Sequence, residues 1–365
     1  MHNLFIVRTP LQLLSAYIVA SQNHCQATNT LVLINPRGNT LWQSTYYLNR
    51  MVTDQEVWHK IFTFTHRVAR RSELFQVRKR LSNLKKQLLE PGNVDQVYLG
   101  ADREFDNQLL VELVNNVSYA RLEDGIWSYS SPDRSLKEQV EFFLWRHIVK
   151  LLTGISTGMK YNYHGGGYGK AATTDYLFKP HLLQRPSPCA VAIPQGHIHR
   201  ALAKLAAGTH TTDALQNIDN AMIFLGSVFV DRGILSLDTE LSLLQKIVAI
   251  AKDKKMRLCY KPHPFEKKEK LAYYQTKLPE LIIIDFSDPI EIFFYCHPQI
   301  KTVISYSSSG LLYADLFSQE SVQPIALFEI FSVEKDAHTL AKIMRLAGVQ
   351  IPYTLEELET YLINP

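Results

Sequence analysis

The feature that most constrains this chain is a repeated rhythm: a short apolar run, a turn, a helical stretch, then another apolar run. Residues 3–7 form the first such run. Arg8-Thr9-Pro10 then leads into a helical stretch over 11–21, with Thr9 suited to the cap and Pro10 to the first turn. The run at 30–34 ends at Asn35-Pro36-Arg37-Gly38. The run at 96–99 precedes Gly100 and a helix near 107–114, and the next apolar run ends at Leu122. Strands that alternate with helices predict a parallel sheet covered on both faces.

From about 155 to 220 the composition changes. Residues 158–170 are rich in glycine and tyrosine, and Pro180, Pro186, Pro188 and Pro194 follow. This stretch reads as loops and a connection. The rhythm then resumes with strands at 221–225, 256–260, 281–285 and 302–305, separated by helices. A chain of 365 residues exceeds one ordinary hydrophobic core, and 46% apolar residues suffice for two. The expected organisation is an N-terminal Rossmann-like domain over 1–180 and a linker over 181–220. A second Rossmann-like domain over 221–330 and terminal helices over 331–365 follow. Two parallel sheets facing a central cleft describe the GT-B class, but also several dehydrogenases and epimerases, so fold alone names no function.

Ligands of open α/β sheets bind at the carboxyl ends of strands. Two motifs stand there. Glu123-Asp124-Gly125 follows the strand ending at Leu122, and Lys261-Pro262-His263-Pro264 follows the strand ending at Tyr260. An Asp-Gly pair alone is usually a surface turn, and a His-Pro pair usually a helix approach. Together, one in each half of the chain, they predict an acid/base site, with Asp124 as general base. Flanking prolines stiffen His263, which is placed to donate to a phosphate, with Lys261 adding charge. Ser307-Ser308-Ser309-Gly310 and Gly226-Ser227 also follow strands and read as anion sites at helix starts. His297-Pro298 follows a helix instead and is the weaker pair.

Other chemistries lack their residues. His164 to Lys170 is no P-loop, since Ala171 stands where Ser or Thr is needed. No dinucleotide fingerprint follows a strand, no Gly-x-Ser-x-Gly elbow occurs, and no Asp-x-Asp is present to clamp a metal. The net charge of +4 is too mild to demand nucleic acid. Cys25, Cys189, Cys259 and Cys296 are far apart and read as buried, reduced thiols of a cytoplasmic protein. No basic n-region precedes residues 3–7, so a signal peptide is not expected, and no apolar run is long enough to span a bilayer. The segment 66–86 is strongly basic with apolar residues interleaved. It reads either as a solvated helix or as peripheral contact with an anionic membrane on its inner face.

The ordered motifs resemble those of bacterial GT-B sialyltransferases: an acidic-acidic-Gly motif, a His-Pro motif and a serine motif. The opening Asn3-Leu4-Phe5-Ile6-Val7-x-Thr9-x-Leu11-Gln12 and Phe224-Leu225-Gly226-Ser227 look most like family 52, the lipooligosaccharide sialyltransferases. The resemblance implies an inverting, metal-independent enzyme without cofactor that moves sialic acid from CMP-sialic acid to a galactose-terminated or sialoside acceptor. It implies Asp124 as base, His263 on the CMP phosphate, and Ser307, Ser308 and Ser309 beside it. Related families place a Pro-x-Glu glutamate on the cytidine ribose, which here is Glu291. A homodimer is compatible with the resemblance. Family 52 also contains glucosyltransferases. A UDP-sugar epimerase and a non-catalytic glycan-binding protein on the membrane surface are the competing readings.

Overall fold

The computed structural model describes residues 1–22, 27–34, 45–64, 74–102, 104–114, 118–130, 136–155, 172–207, 220–284, 286, 288–334 and 336–363. The chain divides into two compact units, Met1–Ala201 and Leu202–Pro365.

The first unit contains, in chain order, β1 (His2–Val7), α1 (Pro10–Ser21), β2 (Thr28–Ile34), α2 (Tyr46–Thr53), β3 (Lys60–Phe64), α3 (Leu74–Leu88), β4 (Gln96–Leu99), α4 (Phe105–Leu113), β5 (Tyr119–Leu122), α5 (Leu136–Thr153), β6 (Ala172–Leu177) and β7 (Ala190–Ala192). α6 (Gln195–Ala206) carries the chain across the boundary. The sheet order is β3-β2-β1-β4-β5-β6-β7, and every pairing is parallel. β1 is buried along its whole length, as a central parallel strand covered on both faces must be. The strand order reverses between β1 and β4, the kind of switch point at whose carboxyl ends open α/β sheets bind ligands. A buried ion pair ties β5 to β6: Arg121 Nη2 lies 2.7 Å from Asp175 Oδ2, and Nε donates to Oδ1 at 2.8 Å.

The second unit contains β8 (Ala221–Leu225), α7 (Leu237–Asp253), β9 (Arg257–Lys261), α8 (Lys268–Lys277), β10 (Ile282–Ile283), α9 (Ile290–Cys296), β11 (Ile300–Ser305), α10 (Ala314–Phe317), β12 (Gln323–Ala326), α11 (Phe328–Phe331), α12 (Ala337–Leu346) and α13 (Leu355–Ile363). The parallel order β10-β9-β8-β11-β12 reverses between β8 and β11.

The segment expected to be linker contains β7 and all of α6, and the boundary falls after Ala201, within that helix. Proline-rich composition suggested loops there, but two prolines serve as element starts. Pro180 opens a 3-10 turn, and the Pro194 carbonyl accepts from His197 N at 2.8 Å as α6 begins. The Asn35–Gly38 turn, Cys25 and the glycine-rich 158–170 segment lie outside the described residues. Of the other cysteines, Cys259 is buried, and Cys189 and Cys296 are half-buried rather than buried. Among the described residues, no helix is long and apolar enough to cross a membrane.

Candidate active site

In the first unit, the acidic motif divides its two carboxylates between different tasks. Glu123 is fully buried. It accepts from Gly125 N at 3.1 Å, from Phe178 N at 3.1 Å and from the Tyr129 hydroxyl. Those donors satisfy its charge and fix the turn to the loop after β6. Gly125 takes a φ of +78°, a conformation that favours glycine. Asp124 is half-buried, and its N–H donates to Ser128 Oγ at 2.7 Å. Its Oδ1 accepts from Gln12 Nε2 at 2.5 Å.

Gln12 is the residue that sequence reasoning left without a role. It stands in the first turn of α1, where its N–H donates to the Thr9 hydroxyl at 3.2 Å, and it is buried. Its Oε1 accepts from Arg8 N at 2.8 Å, which orients the amide so that Nε2 faces Asp124. Arg8 is in turn held by Glu104 and Asp106, each at 2.9 Å. The Gln12 side chain passes over Gly100 at the end of β4. A Cβ on Gly100 would collide with Gln12 Cδ and Cγ and stand 2.5 Å from Nε2. The available signal was a polar residue in a helix whose other buried positions are mostly apolar.

In the second unit, His263 lies just past β9, beside the switch point. Its Nδ1 accepts from Phe265 N at 3.2 Å, so the neutral ring carries its proton on Nε2. Burial pushes its pKa below the ordinary value; Glu266 raises it, while Lys261, Arg232 and Lys270 lower it further. Glu266 anchors the turn: Oε2 accepts from His263 N at 2.6 Å, and Oε1 accepts from the Tyr260 hydroxyl at 2.7 Å and Lys270 Nζ at 2.6 Å. Lys270 also donates to the Ser227 carbonyl at 3.2 Å and pairs with buried Glu240 at 3.0 Å. Burial raises the Glu240 carboxyl despite the Lys270 charge. This cluster joins the ends of β8 and β9. Gly226 must be glycine there, since a Cβ would stand 2.7 Å from the Tyr260 hydroxyl and 2.9 Å from Glu266 Oε1.

Lys261 is buried, and burial lowers its pKa, while Glu291, Asp288 and Glu266 hold it up. Glu291 is likewise buried in the first turn of α9, so its carboxylate belongs to the surroundings of Lys261. The two serine motifs differ from expectation. Ser308 Oγ accepts from Gly310 N at 3.2 Å and caps only a four-residue 3-10 turn, Ser309–Leu312. The Ser307 hydroxyl donates to Glu334. Gly226-Ser227 opens no helix either: turns follow it, and α7 starts later under its own cap, Ser236. Too few aligned peptides follow either motif to give a helix-terminus anion site. His297 is buried against Phe293, at the amino end of β11, opposite the edge that carries His263.

Two parallel α/β units, each with polar residues gathered at strand carboxyl ends, give the chain the GT-B fold. The family model described as alpha-2,8-polysialyltransferase (POLYST) matches residues 3–322, and the chain belongs to that family, a family of sialyltransferases and hence glycosyltransferases. A search of curated proteins finds no match. Among solved structures, the UDP-GlcNAc 2-epimerase from Methanocaldococcus jannaschii is 14% identical with a TM-score of 0.53, covering 100% of both chains. The S. aureus MnaA–UDP co-structure is 13% identical with a TM-score of 0.52, covering 100% of this chain and 95% of that one. The UDP-GlcNAc 2-epimerase from Neisseria meningitidis bound to UDP-GlcNAc is 12% identical with a TM-score of 0.52, covering 100% of this chain and 98% of that one. At such identities these likenesses establish the fold.

Proposed function

We propose that this protein transfers sialic acid from CMP-sialic acid to a sialoside acceptor, with inversion and without a metal. The observation that carries the reading is the division of labour in the acidic motif. Glu123 is consumed by structural donors, while Asp124 stays half-exposed and is aimed by Gln12. In the proposed step the acceptor oxygen bonds to C2 of the donor sugar and gives its proton to Asp124. The bond from C2 to the phosphate oxygen breaks, and CMP leaves with the electron pair. His263 donates Nε2–H to the phosphate as its charge grows, and Ser308 and Ser309 add hydroxyl donors. Such donors, fixed before the reaction, supply the electrostatic stabilisation. CMP is a sufficient leaving group without metal or general acid. Lys261 and Glu291, one beside the other, would hold the nucleotide, Glu291 on the ribose hydroxyls.

The family description favours the end of an α2,8-linked sialic acid chain as acceptor. A galactose-terminated lipooligosaccharide, the acceptor of a family-52 enzyme, is the competing substrate. The test pairs thermal stabilisation by CMP, UMP and UDP with CMP release on each acceptor. CMP should stabilise the protein most, and Asp124→Asn should keep that stabilisation while losing ~10²–10⁴-fold in transfer. Preferential stabilisation by UMP or UDP would refute the donor and favour epimerase-type chemistry. Asp124→Asn with more than a tenth of wild-type kcat would remove Asp124 from the base role.

A further inference from the structure

The serine motif of the second unit meets a carboxylate that the proposed mechanism does not use. β12 lies beside β11, and the chain leaving it stays against the end of β11. Leu327 N donates to the Ser305 carbonyl at 2.9 Å, and Phe328 N to the Tyr306 carbonyl at 3.1 Å. Phe331 of α11 packs edge-on against Tyr306, with ring centroids 5.6 Å apart. Ser332 turns the chain with a φ of +50°, a conformation that favours glycine. Val333 is buried, and Glu334 comes back to the serine motif, where its Oε1 accepts from the Ser307 hydroxyl.

This pair can now only accept. The serine has given its one hydroxyl hydrogen to the carboxylate. Among the described residues no cation pairs with Glu334, and its second oxygen has no protein donor. Both residues are half-buried, so a ligand can reach them. A phosphate fits poorly here, since it brings like charge and no hydrogen to donate. A hydroxyl or an amide N–H fits well, because an ionised acceptor makes the stronger hydrogen bond.

The strand order says which part of a ligand lies there. β8 and then β9 stand on one side of β11, and β12 on the other. Lys261 ends β9 with Glu291 in its surroundings, whereas Glu334 follows β12. In a sugar nucleotide the phosphate separates the nucleoside from the sugar. With the nucleoside towards Lys261 and Glu291 and the phosphate at Ser308 and Ser309, the sugar is left for the β12 side.

We infer that Ser307 and Glu334 bind the sugar of the donor, accepting hydrogen bonds from its hydroxyl or amide groups, and so help select which sugar is transferred. The inference rests on the proposed reading of the nucleotide site. Sialic acid offers several hydroxyls and an amide N–H, and its own carboxylate must face away from Glu334.

The test is calorimetry on the whole chain with two probes: CMP, and a fluorinated, non-transferable analogue of CMP-sialic acid. Glu334→Gln should weaken the intact analogue by roughly tenfold and Glu334→Ala by more, while CMP binds both variants as it binds wild type. Unchanged CMP affinity also shows that the variants fold. Three outcomes would overturn the inference. Equal weakening of both probes would place Glu334 on the nucleotide, tighter CMP binding would make it a competitor of the phosphate, and unchanged affinity for both would leave it without a ligand. A wild-type preference for UMP or UDP over CMP would refute the donor reading alone. The same comparison with UDP and a UDP-hexose then decides the role of Glu334 by the same outcomes.

Discussion

Replacing Gly100 by alanine tests the arrangement that aims Asp124. No positive φ is involved, so the new methyl acts through space alone. Its Cβ would stand 2.5 Å from Gln12 Nε2 and collide with Cδ and Cγ. Ordinary heavy-atom contact begins at about 3.5 Å, and the amide carbon is nearer than Nε2, so the amide must retreat by more than ~1 Å. The Gln12–Asp124 bond, now 2.5 Å, would open past ~3.5 Å, beyond hydrogen-bond range. Losing a hydrogen bond to a charged group costs ~1.5–3 kcal/mol, so a stability loss of ~2 kcal/mol is expected. Misplacing a catalytic group by about 1 Å is expected to lower kcat by ~10²-fold. The decisive measurement is a double-mutant cycle by urea denaturation and steady-state kinetics. Gln12→Ala removes both the bond and the obstacle, so adding Gly100→Ala to it should cost almost nothing more. Strictly additive losses in the cycle would show that Gly100 does not make room for Gln12. Wild-type kcat in Gly100→Ala would show that Asp124 needs no such support.

Three further outcomes follow from the second unit. Glu266→Gln keeps an acceptor near the His263 N–H but removes the charge that raises the imidazole pKa, so the His263 NMR titration should move to lower pH; an unmoved or raised midpoint refutes the assigned coupling. His263→Ala should weaken CMP binding and lower kcat strongly, whereas a damaging change confined to His297→Ala would show that the wrong His-Pro pair is assigned. Glu291→Gln should raise the donor KM by tenfold or more, from the loss of ~1.5–3 kcal/mol of uniform binding, and unchanged CMP affinity in calorimetry would place Glu291 outside the nucleotide site. A last outcome concerns His297, whose pKa burial lowers from 6.5 to about 4. The unfolded chain binds this proton below about pH 6.5 and the folded chain does not, so stability falls as pH drops from about 6.5 towards about 4. The loss has an upper bound of ~3 kcal/mol. His297→Gln should flatten that limb of the pH–stability curve, and an unchanged limb would assign it to other groups.

The motifs were legible because strand-to-turn transitions are local. A buried run ending at Leu122 or Tyr260 announces where the chain emerges, and the residue types next in sequence are those on which the proposed chemistry rests. Gln12 was visible in the opening motif but had no role, because its function depends on Gly100 and Asp124, brought near only by the order β1-β4-β5. Glu266 was hidden similarly, as an ordinary acidic residue three past His263 until Lys270 and Tyr260 close around it. Helix length after Ser309 and Gly226 failed as a reading because a serine can cap a single turn as readily as a long helix. The basic segment is ambiguous in a different way. Apolar residues interleaved with charge describe a lipid-facing helix and a core-facing helix equally well, and Leu81 faces the core.

The sheet borders bear on how the protein behaves when crowded. β10 is two residues long and β7 three, too short to recruit a foreign strand. β3 is longer but alternates between exposed and covered positions and carries Lys60, paired with Glu90 at 2.6 Å. β12 contains Pro324, and its outer rim is occupied by Gln350, which donates from N to the Pro324 carbonyl at 2.9 Å and accepts from Ala326 N at 2.9 Å. All four borders are therefore poor templates for amyloid-like stacking, and the protein should withstand concentration without strand-mediated precipitation. Substitutions that lengthen β7 or β10, or that replace Pro324 by a β-branched residue, would remove that protection while leaving every catalytic group in place.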